Sequence, residues 1–181
     1  RNYFHKMNVA IPKIDSSWTL FLDRDGVINK KLDGDYVKTI DEFEFLPYAL
    51  EAIKLFSSHF HRVVIVTNQQ GISKRLMTED DLHKVHQHLL QEVQNFGGRI
   101  DAIYHAPQLA EENSIMRKPN IGMALHAKKE FPSVDFKKSI MVGDSISDME
   151  FAKNANMFAV LIGQSEEYFC TDSLISLSKL L

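Results

Sequence analysis

Two aspartates, Asp23 and Asp25, lie two positions apart directly after a short apolar run, Leu20–Leu22. Such a run is typical of a strand buried on both faces of a sheet, and the Asp-Arg-Asp-Gly that follows marks where the chain leaves the sheet. Two neighbouring carboxylates repel each other and favour a bound cation. The pair alone is equally typical of an ordinary turn, because Asp and Gly are turn residues. Its interpretation therefore depends on the rest of the chain.

Later segments supply the polar groups that a phosphoryl-transfer site needs. Thr67–Asn68 ends a predicted strand of β-branched residues, Arg117–Lys118 lies in the loop after the third predicted strand, and Asp144 follows the fourth. In a parallel sheet, ligands bind beyond the carboxyl ends of the strands, so these groups are expected to meet Asp23 at one edge. Each segment alone fits a plainer interpretation, such as a loop cap or a solvated turn. Their combination favours chemistry on a phosphate.

The residue types divide the work of hydrolysing a phosphate ester. Asp23 can attack phosphorus and form an aspartyl phosphate. Asp25 can protonate the leaving oxygen and then take a proton from the attacking water. Asp23 and Asp144 make an oxygen-rich site suited to Mg²⁺. Thr67–Asn68 can donate hydrogen bonds to phosphoryl oxygens, and Lys118 can keep Asp23 ionised and balance charge on the transferring group.

The elements that must position these residues alternate between strands and helices. This order predicts an α/β fold with a parallel sheet, right-handed crossovers and helices on both faces. The 181 residues fit one domain, which we assign to residues 18–181 after an N-terminal tail of residues 1–17. Two β-prone pieces, Tyr36–Ile40 and Phe43–Leu46, are expected to form a short flap over the end of the first strand.

Composition narrows the classes of function. A net charge of −3 gives no basic field for non-specific binding to nucleic acid or membranes, and the single cysteine excludes an internal disulfide. No apolar run is long enough to span a membrane, and no signal-peptide core is found, so a cytoplasmic protein is expected. We favour a monomer. Three histidines of the second predicted helix are interpreted as part of a solvated face: His83, His86 and His88.

Four segments, DRDGVIN, TNQQGI, RKPNIGM and MVGDSISD, resemble the four motifs of the haloacid dehalogenase (HAD) superfamily. Together with Tyr36-Val37 in the flap, these motif sequences resemble those of one branch of the superfamily. That branch contains the histidinol-phosphate phosphatases and the D-glycero-D-manno-heptose 1,7-bisphosphate phosphatases. The similarity covers about residues 18–165. It implies a Rossmann-like sheet of order 3-2-1-4-5. The intervals between the motifs leave no room for a cap domain.

The resemblance also implies roles for individual residues. Asp23 is the nucleophile and Asp25 the acid/base, with Thr67 and Lys118 as further catalytic residues. Mg²⁺ is bound by Asp23, Asp144 and the main-chain oxygen of Asp25, and Asp148 supports the site from behind. The expected substrate contacts are Asp33, Gly34, Asp35, Tyr36, Thr67, Asn68, Gln69, Gln70, Arg117 and Lys118.

The sequence departs from that branch in the loop after the third strand. Members often carry a zinc loop there, with Cys-x-His followed by Cys-x-Cys, whereas this chain has HAPQLAEENSIMRK, with one histidine and no cysteine. Thiolates make such sites tight for zinc, so no structural zinc is expected. Ser145 stands where heptose bisphosphatases tend to have lysine, which removes one possible contact to a second phosphate.

Alternative functions remain open at this stage. The leading hypothesis is a phosphatase for a small sugar phosphate or bisphosphate, and histidinol phosphate is the nearest rival substrate. A polynucleotide 3′-phosphatase has support only from a few basic residues: Lys30, Lys31, Lys38, Lys74 and Arg75. The acidic net charge and the lack of interleaved aromatic residues argue against nucleic acid. A non-catalytic module on the same scaffold is disfavoured, because all the motif residues are retained.

Overall fold

A computed structural model describes residues 9–181. The first eight residues of the predicted tail lie outside the described residues; of the remainder, Ile11 and Ile14 pack against the core. Six parallel strands form one sheet of order β3-β2-β1-β4-β5-β6. The strands are β1 (Thr19–Leu22), β2 (Arg62–Asn68), β3 (Ala102–Ala106), β4 (Ser139–Gly143), β5 (Phe158–Ile162) and β6 (Phe169–Thr171).

The order of the first five strands confirms the predicted 3-2-1-4-5, and β6 extends the sheet beside β5. The sequence did not indicate this strand, because three residues are too few to show an alternating pattern. Within residues 9–181, no helix is both long and apolar enough to cross a lipid bilayer.

Helices cover both faces of the sheet, as expected. They are α1 (Ala49–His59), α2 (Glu79–Phe96), α3 (Gly122–Glu130), α4 (Ile146–Asn154) and α5 (Leu174–Ser178). Successive side chains of a strand point to opposite faces. Leu20 and Leu22 therefore join the core cluster that includes residues of α1, α2 and α5. Phe21 joins the cluster on the other face, with residues of α3 and α4.

The flap lies at the expected place, but its two predicted strands do not form. Residues 36–40 and 43–46 are loop, apart from one isolated antiparallel bridge between Asn29 and Phe45. Val37 and Phe43 are buried because they pack against the core. The apolar residues that suggested strands therefore anchor a loop.

Candidate active site

The loop after β1 brings its first aspartate to the carboxyl edge of the sheet. Asp23 continues the ladder beyond β1, because its main-chain N–H donates to the carbonyl of Val142 at 2.9 Å. Gly26 then turns the chain with a φ of +83°, which L side chains rarely adopt. A Cβ at Gly26 would overlap Oδ2 of Asp144. Glycine in this position therefore lets the Asp144 carboxylate approach the loop.

Three carboxylates meet beyond β1 and β4. Asp23, Asp144 and Asp148 each offer an oxygen, and these oxygens lie within 4.8 Å of one another. Burial raises the pKa of Asp23 well above its usual value, and the nearby Asp148 carboxylate raises it further. Burial also raises the pKa of Asp144. So much negative charge in a buried space favours a bound cation.

The site also contains a carboxylate oxygen that fits a metal ligand. Oδ1 of Asp144 is buried and has no hydrogen-bond partner among residues 9–181. A buried polar atom without a partner is costly, and a hard divalent cation would satisfy this oxygen. Asp148 is a weaker candidate ligand, although it belongs to the same cluster. Its Oδ2 already accepts hydrogen bonds from the main-chain N–H groups of Asp144 and Ser145 and from the Ser145 hydroxyl.

Lys118 neutralises part of this charge from a fully enclosed position. Its side chain is only 2% exposed. The ammonium donates to Oδ1 of Asp23 at 2.9 Å, to Oδ1 of Asp148 at 2.7 Å and to the carbonyl of Val66 at 2.8 Å. Burial alone would lower the pKa of Lys118, but Asp148 and Asp23 outweigh it and raise the pKa above its usual value. Lys118 is therefore a permanent cation against the side of Asp23.

Neighbouring residues fix Lys118 and Asp148 in these positions. Asn68 at the end of β2 pairs with the main chain of Lys118, accepting from its N–H at 3.0 Å and donating to its carbonyl at 3.1 Å. Ser145 caps α4 in a capping box with Asp148. A Cβ at Gly143 would overlap the Asp148 side chain, so glycine there leaves room for it. Asp148 lines the same pocket as Asp23 and Asp144, and its role as a support for the metal ligands stays a prediction.

The carboxylate of Asp25 is held by three hydrogen bonds from neighbouring side chains. Oδ1 accepts from Nη2 of Arg24 at 2.8 Å and from Nδ2 of Asn29 at 2.9 Å, and Oδ2 accepts from Nε2 of Gln69 at 2.9 Å. Burial raises the pKa of Asp25, but the charge of Arg24 and these hydrogen bonds outweigh it, so the pKa is lowered. The side chain starts as a carboxylate. Oδ2 keeps the capacity to take a proton because it accepts only one of the three bonds.

A pocket of about 210 Å³ opens over these carboxylates. Five predicted substrate contacts line it: Asp35, Tyr36, Asn68, Arg117 and Lys118. Lining residues that the sequence did not single out as contacts are Lys31, Leu32, Val37, Ser145 and Ser147. Lys31 is notable among them, since its ammonium lies 3.6 Å from Oδ2 of Asp144. The sequence marked Lys31 only as a basic residue and Ser145 only as a departure from the branch, so neither was predicted as a contact.

Five other predicted contacts lie outside this lining. Thr67 is buried and its hydroxyl accepts a hydrogen bond from Gln69, which is buried as well. Oε1 of Gln70 accepts from the main chain of Ala110 at 3.3 Å, and Asp33 and Gly34 are exposed flap residues. Gln69 lies outside the lining because its side-chain amide bonds to Asp25. Substrate contact by these five residues stays a prediction.

The position of His86 corrects the interpretation made from the sequence. It was assigned to a solvated helix face, but it is only 7% exposed and accepts a hydrogen bond from Arg24. The spacing of Leu82, His86, Leu89 and Val93 could have indicated this, because residues four, three and four positions apart share one face of a helix. His83 lies on the exposed side, as expected.

Comparisons with known proteins identify the family of the chain. The family model described as polynucleotide kinase 3 phosphatase matches residues 19–172. The D-glycero-alpha-D-manno-heptose-1,7-bisphosphate 7-phosphatase of Mycobacterium bovis is 41% identical over 137 residues, 76% of this chain and 72% of that protein. The enzyme of the same name from Campylobacter jejuni is 40% identical over 148 residues, 82% of this chain and 83% of that protein.

A solved structure is similar over most of its length. The crystal structure of D,D-heptose 1,7-bisphosphate phosphatase from B. bronchiseptica, complexed with magnesium and phosphate, has a TM-score of 0.81 and 29% identity. The similar region covers 90% of the present chain and 96% of the chain in that crystal structure. The fold and the acidic site define a HAD-superfamily phosphatase, an enzyme that hydrolyses phosphoric monoesters. Within that superfamily, the chain belongs to the family described as polynucleotide kinase 3 phosphatase.

Proposed function

We propose that this enzyme is a Mg²⁺-dependent phosphatase of a small sugar bisphosphate, with D-glycero-D-manno-heptose 1,7-bisphosphate as the reference substrate. The observation that carries the proposal is the buried Asp23–Lys118–Asp148 arrangement with Asp144 beside it, at the base of a pocket of about 210 Å³. The substrate class is supported by the relatives that are 41% and 40% identical, both named for this heptose bisphosphate.

The proposed mechanism uses Asp23 as the nucleophile. Its carboxylate attacks phosphorus, the bond to the leaving oxygen breaks, and an aspartyl phosphate forms. Asp25, a carboxylate in the free enzyme, takes up a proton from solvent when the anionic substrate lies beside it and gives that proton to the leaving oxygen. It then regains a proton from the water that hydrolyses the aspartyl phosphate. Lys118 favours the ionised form of Asp23, against the burial that raises the pKa of Asp23, and offsets negative charge on the phosphoryl group.

Mg²⁺ would be held by Asp23, Asp144 and the main-chain oxygen of Asp25. When bound, it supplies positive charge that reduces repulsion between the carboxylates and the phosphate. The unpartnered Oδ1 of Asp144 and the raised pKa values of Asp23 and Asp144 support this ligand set.

The pocket suits a small, hydroxyl-rich anion. Lys31 and Arg117 add positive charge to its walls, while Tyr36, Ser145 and Ser147 bring hydroxyl groups. A bisphosphate requires a cation for the phosphate that does not react, and Lys31 and Arg117 both line the pocket. The hydroxyls can bond to a sugar. These features favour a phosphorylated sugar over an apolar phosphate ester.

A polynucleotide 3′-phosphatase is the second candidate, and the description of the family model favours it. The charges of the flap argue against it. Lys30 pairs with Glu44 at 2.7 Å, and Lys38 pairs with Asp35 and Glu42 at 2.9 and 3.2 Å. These lysines are therefore partly neutralised by carboxylates of the same flap, and a nucleic-acid backbone would meet both signs of charge.

The two candidates predict different substrate preferences. We expect a higher kcat/KM for heptose 1,7-bisphosphate than for a 3′-phosphorylated oligonucleotide, because the pocket is small and the flap carries carboxylates. Initial rates for both substrates and for histidinol phosphate, measured with Mg²⁺ at several salt concentrations, test this. A higher value for the oligonucleotide that falls steeply with salt would show contacts to the phosphate backbone and would replace the proposal with the second candidate.

Metal binding can be tested without measuring activity. We expect Mg²⁺ to raise the melting temperature, because a ligand at 100 times its Kd stabilises the folded state by about 2.7 kcal/mol. Asp144→Asn should remove most of this increase, and the exposed flap variant Asp41→Asn should keep it. An equal increase in all three proteins would place the cation elsewhere.

Metal analysis of the purified protein should show no stoichiometric zinc, and a zinc ion that resists EDTA would contradict that expectation.

A further inference from the structure

Arg24, between the two aspartates of the loop after β1, is buried completely. Its side chain is 0% exposed, so its guanidinium reaches neither solvent nor the pocket. Nη2 donates to Oδ1 of Asp25 at 2.8 Å, and Nη1 lies 3.0 Å from Nε2 of His86. A buried guanidinium is expensive unless its N–H groups are bonded, so these contacts determine where the charge can lie.

The proton on His86 follows from the chemistry of its partner. A guanidinium donates hydrogen bonds and cannot accept them. Nε2 of His86 must therefore be the acceptor, and the proton of the neutral ring lies on Nδ1. Burial, together with the charge of Arg24, lowers the pKa of His86 to about 3. The ring is therefore neutral and acts as an acceptor at neutral pH.

We propose that Arg24 and His86 are positioning residues, which hold the Asp25 carboxylate in the orientation needed to protonate the leaving oxygen. This inference rests on the acid/base role of Asp25 in the proposed function. Arg24 and Asn29 occupy Oδ1 of Asp25, so the carboxylate cannot rotate without breaking two bonds. Oδ2, with a single partner in Gln69, is left to carry the proton.

His86 connects this orientation to a rigid element. It lies in the second turn of α2, an 18-residue helix fixed at its start by the capping box of Thr78 and Asp81. Without an acceptor at this point, Nη1 of Arg24 would lose its only bond among residues 9–181. The guanidinium could then turn away from Asp25. The helix therefore supports Asp25 through Arg24.

The test compares two leaving groups. An alkoxide leaves poorly without a proton, whereas 4-nitrophenolate leaves readily without one, so only the alkyl ester depends on a correctly placed acid. For His86→Leu we expect kcat/KM to fall about 10²-fold with heptose 1,7-bisphosphate, the lower end of the range for losing a general acid. With 4-nitrophenyl phosphate the loss should stay below about threefold. KM should change little.

Two variants complete the comparison. His86→Gln keeps an acceptor oxygen at a similar distance from the backbone and should restore most of the activity toward the alkyl ester. His83→Leu lies on the exposed side of the same helix and should leave both rates unchanged. Equal losses for both esters in His86→Leu, or a glutamine variant as impaired as the leucine variant, would mean that His86 only stabilises the fold.

Folding of the variants is checked by thermal unfolding. If His86→Leu does not fold, Arg24→Lys is compared in its place, because lysine keeps the charge but lacks the two separate Nη groups that bond to His86 and Asp25. A selective loss for the alkyl ester supports the inference, and equal losses overturn it. If the wild type hydrolyses another alkyl phosphate better than the heptose ester, the proposed substrate is wrong. The comparison then uses that better ester, so the two failures remain distinguishable.

Discussion

Asp23→Asn is expected to reduce turnover of any phosphate ester to the background rate. Asparagine keeps the size of the side chain but is not a nucleophile for phosphorus, so the aspartyl phosphate cannot form. Steady-state rates with heptose 1,7-bisphosphate and with 4-nitrophenyl phosphate measure the loss. The covalent step itself is tested by acid quenching during turnover, after which wild-type protein should carry phosphate on Asp23. Wild-type activity in a variant free of contaminating phosphatases would refute the mechanism.

The loss of activity should not come from unfolding. The pKa of Asp23 is raised in the folded protein by burial and by Asp148. Its contribution to stability is therefore fully present below its unfolded pKa of about 3.9 and is lost as the pH rises through the folded value. Without Mg²⁺, Asp23→Asn should unfold at a higher temperature than wild type at neutral pH, and the difference should shrink in acid. A less stable variant at neutral pH would show that Asp23 is better paired than this pKa direction implies.

Two further variants distinguish the effect of losing the nucleophile from the effect of losing another carboxylate. Asp25→Asn should fall by about 10²–10⁴-fold, as expected for losing a general acid/base, and should retain more activity toward 4-nitrophenyl phosphate. Asp41→Asn removes a carboxylate from an exposed position of the flap and should behave as wild type. We therefore expect the loss of activity to increase from the Asp41 variant to the Asp25 variant and then to the Asp23 variant.

The order of the first five strands was predictable because their apolar runs end at polar or glycine residues. Arg62–Asn68 and Ser139–Gly143 show both features, and their neighbours in the sheet follow from the crossover rule. The edge strand Phe169–Thr171 has three residues and no pattern to detect. The prediction of two strands in the flap failed for a different reason. Val37 and Phe43 are buried, as their apolar character indicated, but they pack against the core as part of a loop.

The site was predictable as a set of residues more than as a set of contacts. Motif spacing places Asp23, Lys118 and Asp144 at one edge, and the structure brings them together. Hydrogen bonding between side chains leaves no pattern in a sequence. The helical spacing could have indicated that His86 is buried, but only the three-dimensional structure pairs it with Arg24 across 62 positions of chain.

Lys118→Met is expected to lower both stability and activity, since it removes the charge and keeps most of the volume. Removing one partner of a buried ion pair leaves an uncompensated charge and costs about 3–5 kcal/mol of unfolding free energy. Here Asp23 and Asp148 both lose their partner, and the carbonyl of Val66 loses a donor. Turnover should fall close to background, because Asp23 is then harder to ionise. Urea unfolding in the absence of Mg²⁺ and steady-state rates measure the two effects.

The dependence on pH separates loss of charge from loss of packing. Burial raises the pKa of Asp148, but Lys118 and hydrogen bonds outweigh it and lower the pKa in the folded wild type. That contribution to stability is present above the unfolded pKa of about 3.9 and is lost as the pH falls through the folded value. The stability difference between wild type and Lys118→Met should therefore be largest near neutral pH and shrink below about pH 4. The exposed Lys137→Met should stay within about 0.5 kcal/mol of wild type at every pH. A constant difference for Lys118→Met across this range would assign its effect to packing alone and would remove the charge of Lys118 from the proposed mechanism.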